Sequence, residues 1–362
     1  MKRLIVCLAW FAFGCTNAEG PPLVIGHVAP ADDSVRAEAQ KRGLELVVND
    51  LGDKPDPALQ SRPLVIRFAS ASSPEDYESH AVRLTALGRA SALFGGTNLD
   101  ETERLDRMRV PLFSFSSRHA SSLSENTIVM GLDAEDESAA VVAWLKSKDI
   151  SNATLVKARD GKSEPWATLL PQAWNKQWGN KAALAFADDH AMLDAETLIF
   201  AGPLTVDSPG WKQIGDRTKR IIVLGSETDA AALAKFRGPH RNVHWTTPFV
   251  LDPETKTTGD FLEKHQRAFG SVPSSDAVLA YDGLRFLLQS MRTTRVAQGG
   301  RLLKDLETAA FVGVTGPNRI ENGRMRRRIY VVHAVDESSA LDFRWLPETL
   351  EKEDRNKEGD RK

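Results

Sequence analysis

From Pro22 to Phe249, short apolar runs alternate with longer stretches whose apolar residues recur at helical spacing. The runs Leu23–Val28, Leu64–Phe68, Ala92–Gly95, Val110–Ser114, Ala153–Lys157, Thr197–Phe200, Ile221–Leu224 and Val243–Phe249 read as buried strands. Between them, helices are predicted over Ser34–Leu51, Pro74–Arg89, from about Asn98, and over Ser138–Ser147, Trp166–Trp178, Trp211–Thr218 and Ala230–Phe236. Strands in such alternation pair in parallel, because each helix carries the chain back across a sheet face. About eight such units exceed one average sheet, so the fold class is α/β with two doubly wound lobes. The last third differs. Asp276–Thr293 and Leu302–Ala309 read as helices, and Gly313–Val335 as a hairpin turning at Glu321-Asn322-Gly323. Residues 347–362 are nearly all charged and read as a solvated tail.

Composition narrows the function classes. Across 362 residues, 47 Lys plus Arg nearly cancel 49 Asp plus Glu, leaving a formal charge of −2. No basic excess points to nucleic acid. Cys7 and Cys15 are the only cysteines, so the rest of the chain holds no disulfide, thiolate metal site or cysteine nucleophile. The eight histidines are scattered without zinc-binding spacing. Gly161-Lys162-Ser163 resembles the end of a phosphate-binding loop, but Val156 stands where its first glycine belongs. No cofactor or metal is expected.

The amino terminus reads as a leader. Lys2-Arg3 precede an apolar run of 11 residues, Leu4–Gly14, too short to span a bilayer and typical of a secretory signal. Two cleavage points compete. Ala12-Phe13-Gly14-Cys15 resembles a bacterial lipobox, giving a leader of residues 1–14 and a lipid on Cys15. Thr16-Asn17-Ala18 suits ordinary signal peptidase, giving a leader of residues 1–18. On either reading the protein leaves the cytoplasm, and it meets a membrane only through a lipid anchor.

Three segments carry a family resemblance: Ala92–Thr97 with Val110–Ser117, Ile221–Glu227, and Phe311–Gly316 leading into Ile320, Asn322-Gly323 and Ile329–Val332. In them the chain resembles the type I periplasmic binding proteins of the leucine/isoleucine/valine-binding family, which capture solutes for ABC transporters. The resemblance spans about residues 22–346. It implies two lobes joined by three crossings, with residues 22–131 plus 252–312 in lobe 1 and residues 132–251 plus 313–346 in lobe 2. It also implies a small ligand held between the lobes and an ABC permease as partner.

Carried onto this sequence, the resemblance nominates ligand-binding residues. Thr97 and Asn98 open a helix whose free N–H groups favour a carboxylate, although Asn98 with Glu101 also suits a simple helix cap. Ser116 and Ser117 occupy a loop that meets the ligand's carboxylate in the family. Arg118 either forks that carboxylate or faces solvent. Glu227 stands where the family places an acid facing the ligand's ammonium group, and it equally suits a helix start. Trp166 supplies an aromatic wall in place of the family's Tyr-Gly pair, or packs in a core. An amino acid or close derivative is therefore the expected ligand. The alternative is an envelope scaffold of the same fold that binds a protein partner. An enzyme is disfavoured, since no nucleophile–base pair is visible.

Overall fold

The computed structural model describes residues 21–30, 33–52, 62–117, 122–157, 164–201, 209–225, 242–249, 256–271, 273–294, 306, 309–333 and 342–344. Within them the alternation forms two sheets. The first contains β1 (Leu23–Pro30), β2 (Leu64–Ala71), β3 (Ala90–Gly95), β4 (Leu112–Ser114) and β5 (Thr127–Val129), ordered β2-β1-β3-β4-β5 and all parallel. The second contains β6 (Asn152–Lys157), β7 (Ala183–Asp188), β8 (Thr197–Ala201), β9 (Arg220–Val223) and β10 (Asn242–Thr247), ordered β7-β6-β8-β9-β10 and again parallel. Each order reverses direction once, the mark of a doubly wound sheet whose crevice lies at the strand carboxyl ends.

The helices are α1 (Ser34–Leu51), α2 (Pro74–Val82), α3 (Leu99–Asp106), α4 (Ala134–Ser147), α5 (Glu164–Trp178), α6 (Pro209–Lys212), α7 (Lys256–Phe269) and α8 (Ser275–Thr294). Both faces of each sheet are covered. In the first lobe, Leu44 and Val47 of α1 join Val278 and Leu287 of α8 in one buried cluster, while Tyr77 and Ala81 of α2 and Leu105 of α3 lie in the other. In the second, Val141 and Leu145 of α4 and Leu170 and Trp174 of α5 pack on one face; Trp211 packs with Phe200 and Trp245 on the other. Burying a side chain of this size is worth about 1.5–3 kcal/mol, which explains why β1 and β3, buried at every position, are apolar apart from His27 and Ser91. Helices α1 and α8 meet at Gly43, where an added Cβ would lie 2.2 Å from the Ala277 carbonyl oxygen. Only glycine admits that approach.

Two expectations need correcting. The helix expected over Trp211–Thr218 is only the short α6; beyond it Ile214 bridges Leu193, and the Gly215 N–H donates to the Leu193 carbonyl. The Pro74–Arg89 helix changes to a π-turn over Arg83–Leu87. Strands β5 and β7 were not anticipated; one has three residues, and the other is alanine-rich with a weak strand signal. The helix expected over Ala230–Phe236, most of Leu302–Ala309, the leader with Cys15 and the charged tail lie outside the described residues.

The larger correction concerns the hairpin. Strands β11 (Phe311–Gly313), β12 (Gly316–Glu321) and β13 (Arg324–Arg326) extend the first sheet, with Arg324 opposite Val129 of β5. Asn322 and Gly323 both have positive φ (52° and 70°), so the turn lies where the Asn-Gly signal puts it. Residues 313–326, expected in lobe 2, therefore stand in lobe 1. The chain returns to the second sheet only between β13 and β14 (Tyr330–His333), which pairs antiparallel with β10 and is followed by β15 (Asp342–Arg344). A turn signal fixes where a hairpin bends; it does not say which sheet edge the hairpin joins. Here it joins β5, while β14 pairs with β10.

Candidate functional site

A cleft lies where both sheets and two crossings converge. Its walls are Arg36, Phe115, Ser117, Ser275, Asp276 and Leu279 from lobe 1 and Glu137 and Gly225 from lobe 2, with Gly131, Leu132 and Pro248 between. Its empty volume, mouth included, is about 390 Å³. Gly131 lets the first crossing run close to the β4 exit: an added Cβ would meet the Ser116 carbonyl oxygen at 2.2 Å, and the Gly131 N–H donates to that oxygen at 3.1 Å.

The lobe 1 wall is charged. Asp33 caps α1, its side chain accepting from the Arg36 N–H, which sets Arg36 in the first turn. The Arg36 Nε donates to Asp276 Oδ2 at 2.8 Å and Nη2 to Asp276 Oδ1 at 3.3 Å, a two-pronged pair. Asp276 stands in the first turn of α8, where an acid also favours the helix dipole. Behind Phe115, His27 is fully buried against Gln40 (3.0 Å), and desolvation lowers its pKa to about 4. It is therefore neutral at physiological pH.

The lobe 2 wall centres on Glu137. Its carboxylate accepts from Trp166 Nε1 at 2.8 Å, from the Gly225 N–H at 3.1 Å and from the Thr246 hydroxyl. It is completely buried, and desolvation outweighs these donors, raising its pKa to about 7. Gly225 has φ +63°, and an added Cβ would lie 2.5 Å from the Trp166 ring. The indole thus packs against this turn and fixes the carboxylate from behind.

The residues expected from sequence separate into three groups. Ser117 lines the cleft. Thr97 and Asn98 form a cap and are not among the cleft-lining residues: the Thr97 N–H and hydroxyl both donate to Glu101 Oε2 (2.7 and 2.8 Å), and Asn98 Oδ1 accepts from the Glu101 N–H. Glu101 thereby takes the place expected for a ligand carboxylate. Ser116 is buried, its N–H donating to Ser114 Oγ at 3.1 Å, and it is absent from the cleft lining. Trp166 is a buried positioning group behind Glu137. Arg118 and Glu227 lie outside the described residues.

Sequence reasoning missed Arg36, Asp276 and Glu137. Glu137 had a signal: it shares a helical face with Val141, Trp144 and Leu145, all buried, and an acid on such a stripe needs partners. Arg36 and Asp276 are each ordinary at a helix start, and only their contact across 240 positions sets them apart.

Residues 194–339 match the family model described as periplasmic binding protein. No curated protein sequence matches. Among solved structures, an ABC transporter substrate-binding protein from Sphaerobacter thermophilus superposes with a TM-score of 0.73 at 15% identity, covering 90% of this chain and 96% of that one. A solute-binding protein of an ABC transporter from Rhodopseudomonas palustris, in complex with 3,4-dihydroxybenzoic acid, gives 0.72 at 13% identity, covering 88% and 95%. A substrate-binding protein from Desulfitobacterium hafniense in complex with leucine gives 0.70 at 15%, covering 90% and 100%. The chain has the two-lobed fold of the type I periplasmic binding proteins, and its residues 194–339 match the periplasmic binding protein family.

Proposed function

We propose that this protein is an extracytoplasmic solute-binding receptor that holds an amino acid or close derivative in the cleft and delivers it to an ABC permease. The observation that carries the reading is the mixed charge of one small cleft: Arg36 and the Ser117 hydroxyl beside Asp276 on lobe 1, with Glu137 on lobe 2. A zwitterion matches it. The carboxylate takes donors from Ser117 and Arg36, and the ammonium takes the Asp276 carboxylate. Glu227, two residues past the cleft-lining Gly225, and Arg118, next to Ser117, belong to the same proposed site by chain position. Neighbours of this fold carry leucine or hydroxylated benzoic acids in their crystals, which supports a small carboxylate as the common element. The role is binding rather than catalysis.

Calorimetry of the protein against amino acids, their amides and aromatic carboxylates tests this. Asp276→Asn is expected to weaken an amino acid by about 2–5 kcal/mol, on the scale of losing a buried charge partner. A carboxylate without an amine should lose much less. Binding of no solute by the wild type sinks the receptor reading and leaves the protein-binding scaffold.

Anchoring is proposed at Cys15. Among the described residues no helix is long and apolar enough to cross a membrane. Cys15→Ser is expected to move the protein from the membrane fraction to the soluble fraction. Failure of wild type to incorporate labelled palmitate would leave cleavage after Ala18.

A further inference from the structure

Glu137 lines the cleft from lobe 2 with its donors unevenly divided. Oε1 accepts twice, from the Gly225 N–H at 3.1 Å and from the Thr246 hydroxyl, while Oε2 accepts once, from Trp166 Nε1 at 2.8 Å. A carboxylate offers about four acceptor positions. Among the described residues one is therefore left open, and it belongs to Oε2. Two things can fill it: an acid hydrogen on Oε2, or a donor brought by a molecule in the cleft. They exclude each other.

The surrounding charges set the balance between them. On its own helix, Asp133 opposes ionisation of Glu137, Glu135 is exposed, and Asp136 is paired with Arg326. From α5 comes only the Trp166 indole N–H. Strand β10 presents Thr246 and, two residues back on the same face, His244, which stacks on Trp144 with ring centres 4.6 Å apart. Strand β14 adds apolar Val331. The cations are shared: Arg36, across the cleft, pairs with Asp276, and Arg324 pairs with Asp133. Desolvation therefore dominates and holds the carboxyl at about 7. Near neutrality the acid hydrogen and the open position on Oε2 are close in free energy, so a cationic donor entering the cleft decides between them.

We propose that Glu137 is the lobe 2 partner of the solute's ammonium group, and that capture displaces the acid hydrogen from Oε2 into solvent. This role rests on the amino-acid reading of the cleft given above. It adds that the ammonium, with three N–H donors, is taken by Asp276 and Glu137 from opposite lobes. Loading then costs the receptor a proton and weakens in acid. A carboxylate lacking the amine has no donor for Oε2 and leaves the acid hydrogen in place, so Glu137 discriminates between the two classes.

The probe is L-leucine, whose side chain suits the apolar walls at Phe115, Leu132 and Leu279, followed by the other common amino acids. Calorimetry of the full chain in buffers of different ionisation enthalpy counts the protons. At pH 6 close to one should leave per leucine bound, and at pH 8 close to none. Affinity should fall about tenfold from pH 8 to pH 6, as the ionised fraction of the free receptor does. Trp166→Phe removes the donor from Oε2, which disfavours the ionised form and should move this profile to higher pH; lost packing alone would not move it. Glu137→Gln should bind leucine more weakly at pH 8 and release no proton. If that variant does not fold, the wild-type proton count and the Trp166→Phe profile decide. Leucine bound equally well at pH 6 and pH 8 with no proton released overturns the role of Glu137 and leaves the receptor reading intact. Proton uptake overturns it in favour of an acid that donates to the solute's carboxylate. Binding of no amino acid at either pH sinks the amino-acid reading and this role with it.

Discussion

Glu137→Leu is expected to destabilise the protein by about 3–5 kcal/mol at pH 5, and by clearly less at pH 8. Leucine leaves the Trp166 indole N–H, the Gly225 N–H and the Thr246 hydroxyl without their acceptor in a buried place. Each such orphan costs about 1–3 kcal/mol. The pH dependence follows from the sign of the shift. Burial raises the carboxyl to about 7 in the folded chain, against an ordinary value of 4.5. Between those values the folded state holds the proton more tightly than the unfolded one. Stability from this group is therefore full below pH 4.5 and falls as pH rises to about 7, by about 3 kcal/mol in all. Leucine carries no such dependence. The wild type should lose part of its advantage over the variant across that window. Denaturant unfolding of both proteins at pH 5 and pH 8 measures this. A difference that does not change with pH would place the carboxyl's titration outside the window.

Asp282→Leu should be comparably severe, about 3–5 kcal/mol on the scale for breaking a buried charge pair. Three donors of the Val314-Thr315 turn lose their acceptor, and Arg327 loses its opposing charge. Gly313 is fitted to this carboxylate: an added Cβ there would lie 2.3 Å from Asp282 Oδ2. Damage should therefore concentrate in β11–β13 and the crossing behind them. Adding Arg327→Met to Asp282→Leu is expected to recover part of the loss, because the unopposed buried charge disappears with it. A double-mutant cycle from chemical denaturation gives the coupling directly. Strictly additive losses would mean that Asp282 acts only as an acceptor for the turn.

The sequence carried the repeating part of this fold well. Buried parallel strands such as Leu23–Pro30 and Ala90–Gly95 are apolar at nearly every position because both sheet faces are covered. Edge and short strands carry no such signal: β7 has only exposed and half-buried residues, without strict alternation, and β5 has three residues. The Asn322-Gly323 turn was readable because both positions need positive φ, but the sheet it joins depends on an edge pairing that no local pattern encodes. The site was less legible. Ser117 was nominated by the family resemblance, and it lines the cleft. Thr97 and Asn98 stand in the cap that the sequence also allowed, where Glu101 reaches back to Thr97 and supplies internally the negative charge that the helix start attracts. Arg36 and Asp276 form a pair only after α1 and α8 have packed, so neither residue is distinctive by itself.

The late return of β13 to the first sheet and of β14 to the second bears on how the molecule is made. Arg324 pairs with Val129 across about 200 positions, and β14 closes on β10 only after that. A ribosome delivers the parallel strands of both lobes well before the strands that finish either sheet. The packing helices α7 and α8 also emerge after the second lobe has begun, so lobe 1 lacks one covering layer until then. Neither half can reach its final state as an early, independent unit. A nascent chain with this wiring stays incompletely folded until nearly its whole length is available, which postpones cooperative folding until synthesis is almost complete.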